Sequence, residues 1–423
     1  MTNSGVMAQT AVQKDDAYQL MGLAALMTKA FRGEDLTPLG SKLIEYAGSH
    51  PNVEGASALL DLSIVLHLKT SHDVALSMQT EALKLRQCYQ LPAQGEPAIR
   101  LLAIMGPGDL AANTPLEFLV ENSDIELNMV FVAPWLPLPE TVPDHDVAIV
   151  AIGESEQSLQ TLRLADGLVQ MWPRPVLNAP ERIARLSRDS VSALLRSVPG
   201  VEIPDSVRVA RQVLEQVASG GLPLSAVLKD GGFPVIVRPR DSHAGKGLDK
   251  ADDPAQLEAY LQGREETEFY LARFVDYRST DGQFRKYRLV LIDGHPYASH
   301  MAISDHWVVH YVSGGMLEEA EKRAEEERFM AQFDEDFASR HADALRGIAE
   351  RIGLDYLVID CAETRDGKLL VFEVDNSAVV HAMDSAEMFP YKQPQMRKVF
   401  EAFRAMLFRA AEHGAAQAEG SGP

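Results

Sequence analysis

Two carboxylates stand in the middle of apolar runs near the end of this chain. In "YLVIDCAETRDGKLLVFEVDNSAVVHAMD", residues 356–384, Asp360 and Glu373 lie on either side of "RDGK". Asp-Gly between alternating apolar stretches signals a β-hairpin, because glycine accepts the positive φ of the turn. With Asp366 and Gly367 as a two-residue loop, Arg365 faces Lys368, and counting outward sets Asp360 opposite Glu373. Opposed residues share a face, with Cβ atoms about 4.5–5.5 Å apart. Val358, Ala362, Val371 and Asp375 join that face, while Leu357, Ile359, Cys361, Leu370, Phe372 and Val374 make the other one apolar. Like charges so placed destabilise a sheet unless one is neutralised or a cation sits between them. Two readings follow: a solvated outer face that tolerates acids, or a hard divalent cation shared with substrate phosphates.

Basic residues with phosphate-binding character occur earlier, in "GGFPVIVRPRDSHAGKGL", residues 231–248. "PVIV" reads as a buried strand whose end carries Arg238 and Arg240 on one face. In the small-residue loop that follows, Gly245 and Gly247 allow backbone N–H groups close to a phosphate, which Arg238 and Lys246 neutralise. An ordinary hairpin connection is the competing reading. Further on, "EFYLARFVDYRSTDGQFRKYRLVLIDGHPYASHMAIS" holds one strand and a second hairpin, with Arg288 at the mouth of "KYRLVLI". His300, His306 and His310 fall within eleven residues without a metal-binding pattern, so they read as a surface cluster with one member near substrate.

The elements that must position these groups are legible in outline. A chain of 423 residues suggests two to four domains. The net charge of −21 argues against a nucleic-acid binder. Cys88 and Cys361 lack disulfide-scaffold or metal spacing, no secretory leader is evident, and no apolar run is long enough for a bilayer. A cytoplasmic protein with no membrane contact is therefore expected. After a polar tail at 1–14, residues 15–95 read as helices, two pairs offset by about 38 residues that resemble a degenerate tetratricopeptide repeat. A plain helical bundle is the alternative. Residues 96–190 alternate strand and helix as in a small parallel α/β domain. Residues 191–410 alternate again, and 411–423 are expected to be a disordered tail. The run "EEAEKRAEEERF" reads as a solvated helix face.

Taken in order, a strand with Arg-Pro and a glycine loop, a connector strand, "RLVLIDGHP", then Asp360, Glu373 and Asn376 resemble the ATP-grasp superfamily, most nearly glutathione synthetases and ribosomal-protein glutamate ligases. The resemblance covers roughly residues 98–410 and implies an α/β (α+β) ATP-grasp fold behind a small parallel α/β domain, with the repeat-like helices outside it. It implies an ADP-forming, carbon–nitrogen bond-forming ligase that works through an acyl phosphate, with ATP and Mg2+ (or Mn2+) as cofactors. Its substrates are a carboxylate and an amine, a peptide or protein acceptor being one option, and homodimers are common in the family. Residue by residue, Arg238 stands where the family has a phosphate-binding lysine, and Ser242, Gly245, Lys246 and Gly247 match its glycine lid. Phe274 and Val275 fall at the adenine hinge, with Asp276 for the ribose, and Arg188 matches an entry-helix lysine. Arg288 matches the arginine that steadies the γ-phosphate, Lys286 replaces an aspartate two residues before it, and His300 is the candidate proton acceptor. The implied metal ligands are Asp360, Glu373 and Asn376, with Asp375 at the family's spacing for the third. The competing reading is a nucleotide-binding scaffold without catalysis, whose helices hold a protein partner.

Overall fold

The computed structural model describes residues 18–139, 141–229, 231–240, 242, 245–311 and 314–420, with backbone alone for 415–420. The polar tail expected at 1–14, loop positions 241, 243 and 244, and the last three residues lie outside the described set. The chain divides into two compact units, residues 1–89 and 90–423.

Among the described residues the first unit contains four α-helices, α1 (Gly22–Phe31), α2 (Thr37–Ser49), α3 (Ala56–Leu68) and α4 (His72–Leu85). Helix α3 is apolar nearly all round, and such a helix must be enclosed. It packs against each of the other three. Leu26, Leu36, Leu43, Ala58, Leu62 and Val65 form the core of the unit. One buried acid organises its start: Asp61 of α3 accepts hydrogen bonds from Met21 N (2.7 Å), Gly22 N (2.9 Å) and the Tyr18 hydroxyl (2.7 Å). Those two N–H groups open α1, where the backbone donors have no partner within the helix. The other three helices are thus arranged around α3.

Strand β1 (Cys88–Leu91) carries the chain across the boundary. Beyond it, β2 (Ile99–Met105), β3 (Ile125–Phe131), β4 (Val147–Val150) and β5 (Val176–Leu177) run parallel in the order β3-β2-β4-β5. Their side chains are buried on both faces, as expected of a parallel sheet. A second sheet, entirely antiparallel, has the order β7-β10-β8-β9, from β7 (Ser206–Ala210), β8 (Val235–Pro239), β9 (Asp249–Ala251) and β10 (Glu268–Arg273). It shares a core with the helices Arg211–Ala218 and Pro254–Leu261.

The third sheet has the order β12-β11-β13-β14-β6. Its strands are β6 (Val201–Glu202), β11 (Phe284–Ile292), β12 (His295–Ser304), β13 (Tyr356–Glu363) and β14 (Leu369–Asp375). The helix Lys392–Gly420 packs on β11 and β12, and Phe403 meets Tyr356 edge-on with ring centroids 5.6 Å apart. This helix runs on through "AEHGAAQAEG", residues 411–420, where the sequence suggests a disordered tail; alanine is the strongest helix former, and the segment has four.

The β13–β14 hairpin corrects the turn expected from Asp-Gly. Thr364 N donates to Lys368 O (2.9 Å) and Gly367 N to Thr364 O (3.0 Å), so the loop has three residues, with Gly367 at φ +80°. That loop alone would put Phe372, not Glu373, opposite Asp360. A bulge at Phe372 restores the expected pairing, Asp360 with Glu373. The Phe372 ring is held by Tyr277, at 5.0 Å between centroids.

Replacing Asp61 by alanine strips three hydrogen bonds from one buried carboxylate. We expect Asp61→Ala to cost about 2–4 kcal/mol of stability, seen as a lowered denaturant midpoint in circular dichroism. An unchanged midpoint would show that the α1 start is held by packing alone.

Candidate functional site

The third sheet builds a polar row across four strands. His300 pairs with Arg288, Arg288 with Asp360, and Asp360 with Glu373, so one residue from each of β12, β11, β13 and β14 stands in line. The register shifts just past this row on both flanks, between Arg288 and Leu289 and between Asp360 and Cys361. Bulges are common beside active sites because they re-aim side chains.

Asp360 is 7% exposed, so the acid face predicted from alternation does not open to solvent there. Arg288 grips it with two parallel bonds, Nε to Oδ1 at 2.7 Å and Nη2 to Oδ2 at 2.9 Å, and Lys286 Nζ reaches Oδ2 at 3.0 Å. Burial opposes the charge, but the Arg288 charge and hydrogen bonds, with Lys286, overcome it and hold the carboxyl far below the usual range. The last guanidinium nitrogen of Arg288 donates to Val379 O (3.1 Å). His300 is driven well below its ordinary pKa by burial and then by Arg288 and Lys392, so it stays a neutral imidazole. Its ring lies 4.9 Å from that of Tyr311.

Arg188 opens the helix Arg188–Leu195 and donates to Glu373 Oε1 and to Phe372 O (3.3 Å). Arg238, at the end of β8, is 7% exposed and bonds to Ser242, through Nε to Oγ at 3.1 Å and through Nη2 to the carbonyl oxygen. Among the described residues it faces no carboxylate at ion-pair distance. Burial, and then repulsion from Arg188, push it down to about 10. Gly245 and Gly247 both adopt positive φ, +74° and +70°. A Cβ at Gly245 would come within 2.7 Å of the His310 ring, and one at Gly247 within 2.7 Å of Pro239, so this loop needs glycine for close approach. His310 is lowered by burial and then by the Lys286 charge, with Asp360 opposing. Lys246 is exposed, and His306 is solvent-facing, as a surface histidine should be.

The hinge residues divide. Phe274 donates its N–H to Pro234 O (3.0 Å) and packs on Trp307, while Val275 joins the apolar cluster of Tyr277, Phe284 and Leu370. Asp276 is paired with Arg278 at 2.7 Å, and that bonding lowers its carboxyl.

Asn376 is fully buried and joins the third sheet to the parallel one. Its Nδ2 donates to Ile152 O (3.0 Å), its backbone carbonyl accepts from Thr114 Oγ1 (2.8 Å), and its Oδ1 has no hydrogen-bond partner among the described residues. Next to it, Gly153 stacks on Ser377 so tightly that a Cβ would lie 2.8 Å from the hydroxyl. Asp375 accepts from Ser377 N (2.7 Å) and Ser377 Oγ (2.9 Å), and burial followed by the Glu373 charge raises its carboxyl.

As a three-ligand divalent site, Asp360, Glu373 and Asn376 do not fit as they stand. Three N–H donors already occupy the two oxygens of Asp360, and Arg188 occupies Glu373. The unpartnered Oδ1 of Asn376 is the feature that suits a cation. Among the described residues no group of three His, Cys, Asp or Glu side chains is placed to hold a metal ion.

Several groups escaped the sequence reading. Glu326, inside the run read as a solvated face, is fully buried. It accepts from Met301 N (3.0 Å), the Tyr311 hydroxyl (2.9 Å) and the Tyr391 hydroxyl (2.7 Å), and pairs with the buried Lys392 at 3.4 Å. Lys392 also bonds Asp384 at 3.1 Å. Glu154, in the loop after β4, is pushed up to about 7 by burial, with Arg208 opposing and Asp189 and Asp375 reinforcing. Nothing in the local sequence marks either acid, because both are buried by segments distant in the chain.

No protein-family model matches the chain, and no curated protein matches its sequence. Among solved structures, the D-alanine–D-alanine ligase of Bacillus anthracis complexed with ATP superposes with a TM-score of 0.44 at 15% identity, over 75% of this chain and 99% of that one. The VanG D-Ala:D-Ser ligase of Enterococcus faecalis gives 0.45 at 13%, over 74% and 99%. A RimK domain ATP-grasp protein of Sphaerobacter thermophilus gives 0.40 at 17%, over 73% and 99%. These likenesses are partial and of low identity, so the chemistry is read from this chain's own side chains.

Substituting Asp360 by asparagine leaves Lys286 and Arg288 buried without their counter-charge. We expect Asp360→Asn to lower stability by about 3–5 kcal/mol. Because the folded carboxyl titrates far below its unfolded value of about 3.9, the ion pair contributes fully above pH 5. The gap between wild type and variant should stay constant from about pH 5 to 8 and narrow as acid protonates Asp360 in both states. Thermal melts across that range provide the check, and a gap that widens in acid would contradict the assignment.

Proposed function

We propose that this protein is an ATP-dependent ligase that joins a carboxylate to an amine, passing through an acyl phosphate and releasing ADP. The observation that carries this reading is a chain of cations: Lys286 and Arg288 hold Asp360, Arg188 holds Glu373 opposite it, and the buried Arg238 feels the charges of both Arg188 and Glu373. In a chain of net charge −21, such a gathering of cations calls for an anionic ligand. The ordered motifs in the sequence point the same way.

In the reaction, an oxygen of the substrate carboxylate attacks the γ-phosphorus and the bond to the β-phosphate oxygen breaks. The amine nitrogen then attacks the acyl carbon, phosphate leaves, and the amine proton passes to a base. Phosphoryl transfer asks the protein chiefly for positioning and charge neutralisation. Arg238 and the glycine-loop N–H groups, with Ser242 and Lys246, suit the nucleotide phosphates, and Arg288 with Lys286 suits the transferred one. Phe274 and Val275 are assigned to adenine; Asp276 reaches the ribose by giving up Arg278. His300, held neutral, is a poor proton acceptor and serves better as a hydrogen-bonding neighbour of the row. Glu154, which titrates near neutrality, matches the base in proton affinity. At Asp360 this reading draws on the chain's own cations and assigns no step to Mg2+ or Mn2+. A peptide or protein acceptor held by the tetratricopeptide-like helices, a homodimer and a cytoplasmic location remain parts of the same proposal.

Calorimetric titration with ATP tests it. Arg238→Met should weaken ATP binding about tenfold to a hundredfold, the worth of a charge-assisted contact, with the melting temperature little changed. Amino acids and short peptides are then screened for ADP release. Absence of ATP binding by the wild-type chain would discard the ligase in favour of a scaffold whose basic cluster is structural.

A further inference from the structure

The two opposed acids of the hairpin call for a cation, and the structure supplies one from the chain itself. Lys286 lies two residues before Arg288 on β11, on the same face, and its ammonium is 3.0 Å from Asp360 Oδ2. Both partners are largely withdrawn from water, with side-chain exposures of 17% for Lys286 and 9% for Asp360. A carboxylate offers about four lone-pair sites. Arg288 takes one on each oxygen, and Lys286 takes a second on Oδ2.

We infer that Lys286 is a tethered cation, standing at Asp360 where the resemblance would place a divalent ion, and that it keeps free divalent ions away from that carboxylate. An ammonium at that position repels an incoming dication strongly, since neighbouring like charges cost several kcal/mol even at an effective dielectric of about 20. The inference rests on the geometry of this ion pair and holds whether or not the ligase reading does.

The test uses Mn2+ alone, without nucleotide, on the full-length chain, with free Mn2+ followed by electron paramagnetic resonance. Wild type and Lys286→Arg should bind no Mn2+ at the site. Lys286→Gln should gain one equivalent with an affinity raised about tenfold or more, and the gain should vanish in Lys286→Gln/Glu373→Gln. The inference is overturned if Lys286→Gln binds no more Mn2+ than wild type. It is equally overturned if wild type already binds one Mn2+ that Glu373→Gln removes, an outcome that needs no folded Lys286 variant. ATP calorimetry run in parallel separates the two readings. No ATP binding with a Mn2+ site gained in Lys286→Gln would discard the ligase and keep the tethered cation, and ATP binding without that gain would do the reverse.

Discussion

The bidentate pair between Arg288 and Asp360 is the contact on which the site depends. It joins β11 to β13 at a buried carboxylate and a guanidinium whose side chain is 20% exposed, so water offers little to either charge. Breaking such a pair leaves a stranded charge, whereas keeping it demands that both strands hold their register to the residue. The row that follows, with His300 on one flank and Glu373 on the other, is fixed by that demand. The remaining cations then arrange themselves around an anionic charge already mostly spent. Arg188 turns to Glu373, and Arg238 turns to the neutral oxygens of Ser242.

A second constraint comes from Asn376. Its side-chain amide donates to Ile152 O and its backbone carbonyl accepts from the Thr114 hydroxyl, which locks the end of β14 to the parallel sheet, and Gly153 stacks on Ser377 beside it. The small α/β layer is thereby held against the end of the hairpin that carries the acids. Glu154 belongs to the same loop, which explains how a residue from one layer feels the charges of Asp189 and Asp375 from the other.

Much of this was legible in the sequence, though not always for the reason first given. The pairing of Asp360 with Glu373 follows from a two-residue turn, yet the protein reaches it with a three-residue turn and a bulge at Phe372. Two departures from the simplest reading cancel. Strand positions, the glycine loop and the basic residues beside it could be read because each depends on local pattern: period two, positive φ, or charge adjacent to glycine. The burial of Asp360 could not, since β13 lies inside a five-stranded sheet with both faces covered, and alternation does not reveal what covers the second face. Glu326 was hidden for a similar reason. Its helix looks solvated along its length, but this one side chain meets Lys392, Tyr311 and Tyr391, from segments far along the chain.

The bulge at Phe372 has a mechanical meaning. Between the hairpin tip and Glu373 it acts as a slack link, anchored by the Tyr277 ring. The twelve residues separating Asp360 from Glu373 can be laid out as a longer turn with the bulge or as a tighter turn without it, and the two acids face each other either way. The tip of the hairpin is thus insulated from the row: a change of turn type there is absorbed at Phe372 before it can rotate Glu373 to the far side of the sheet.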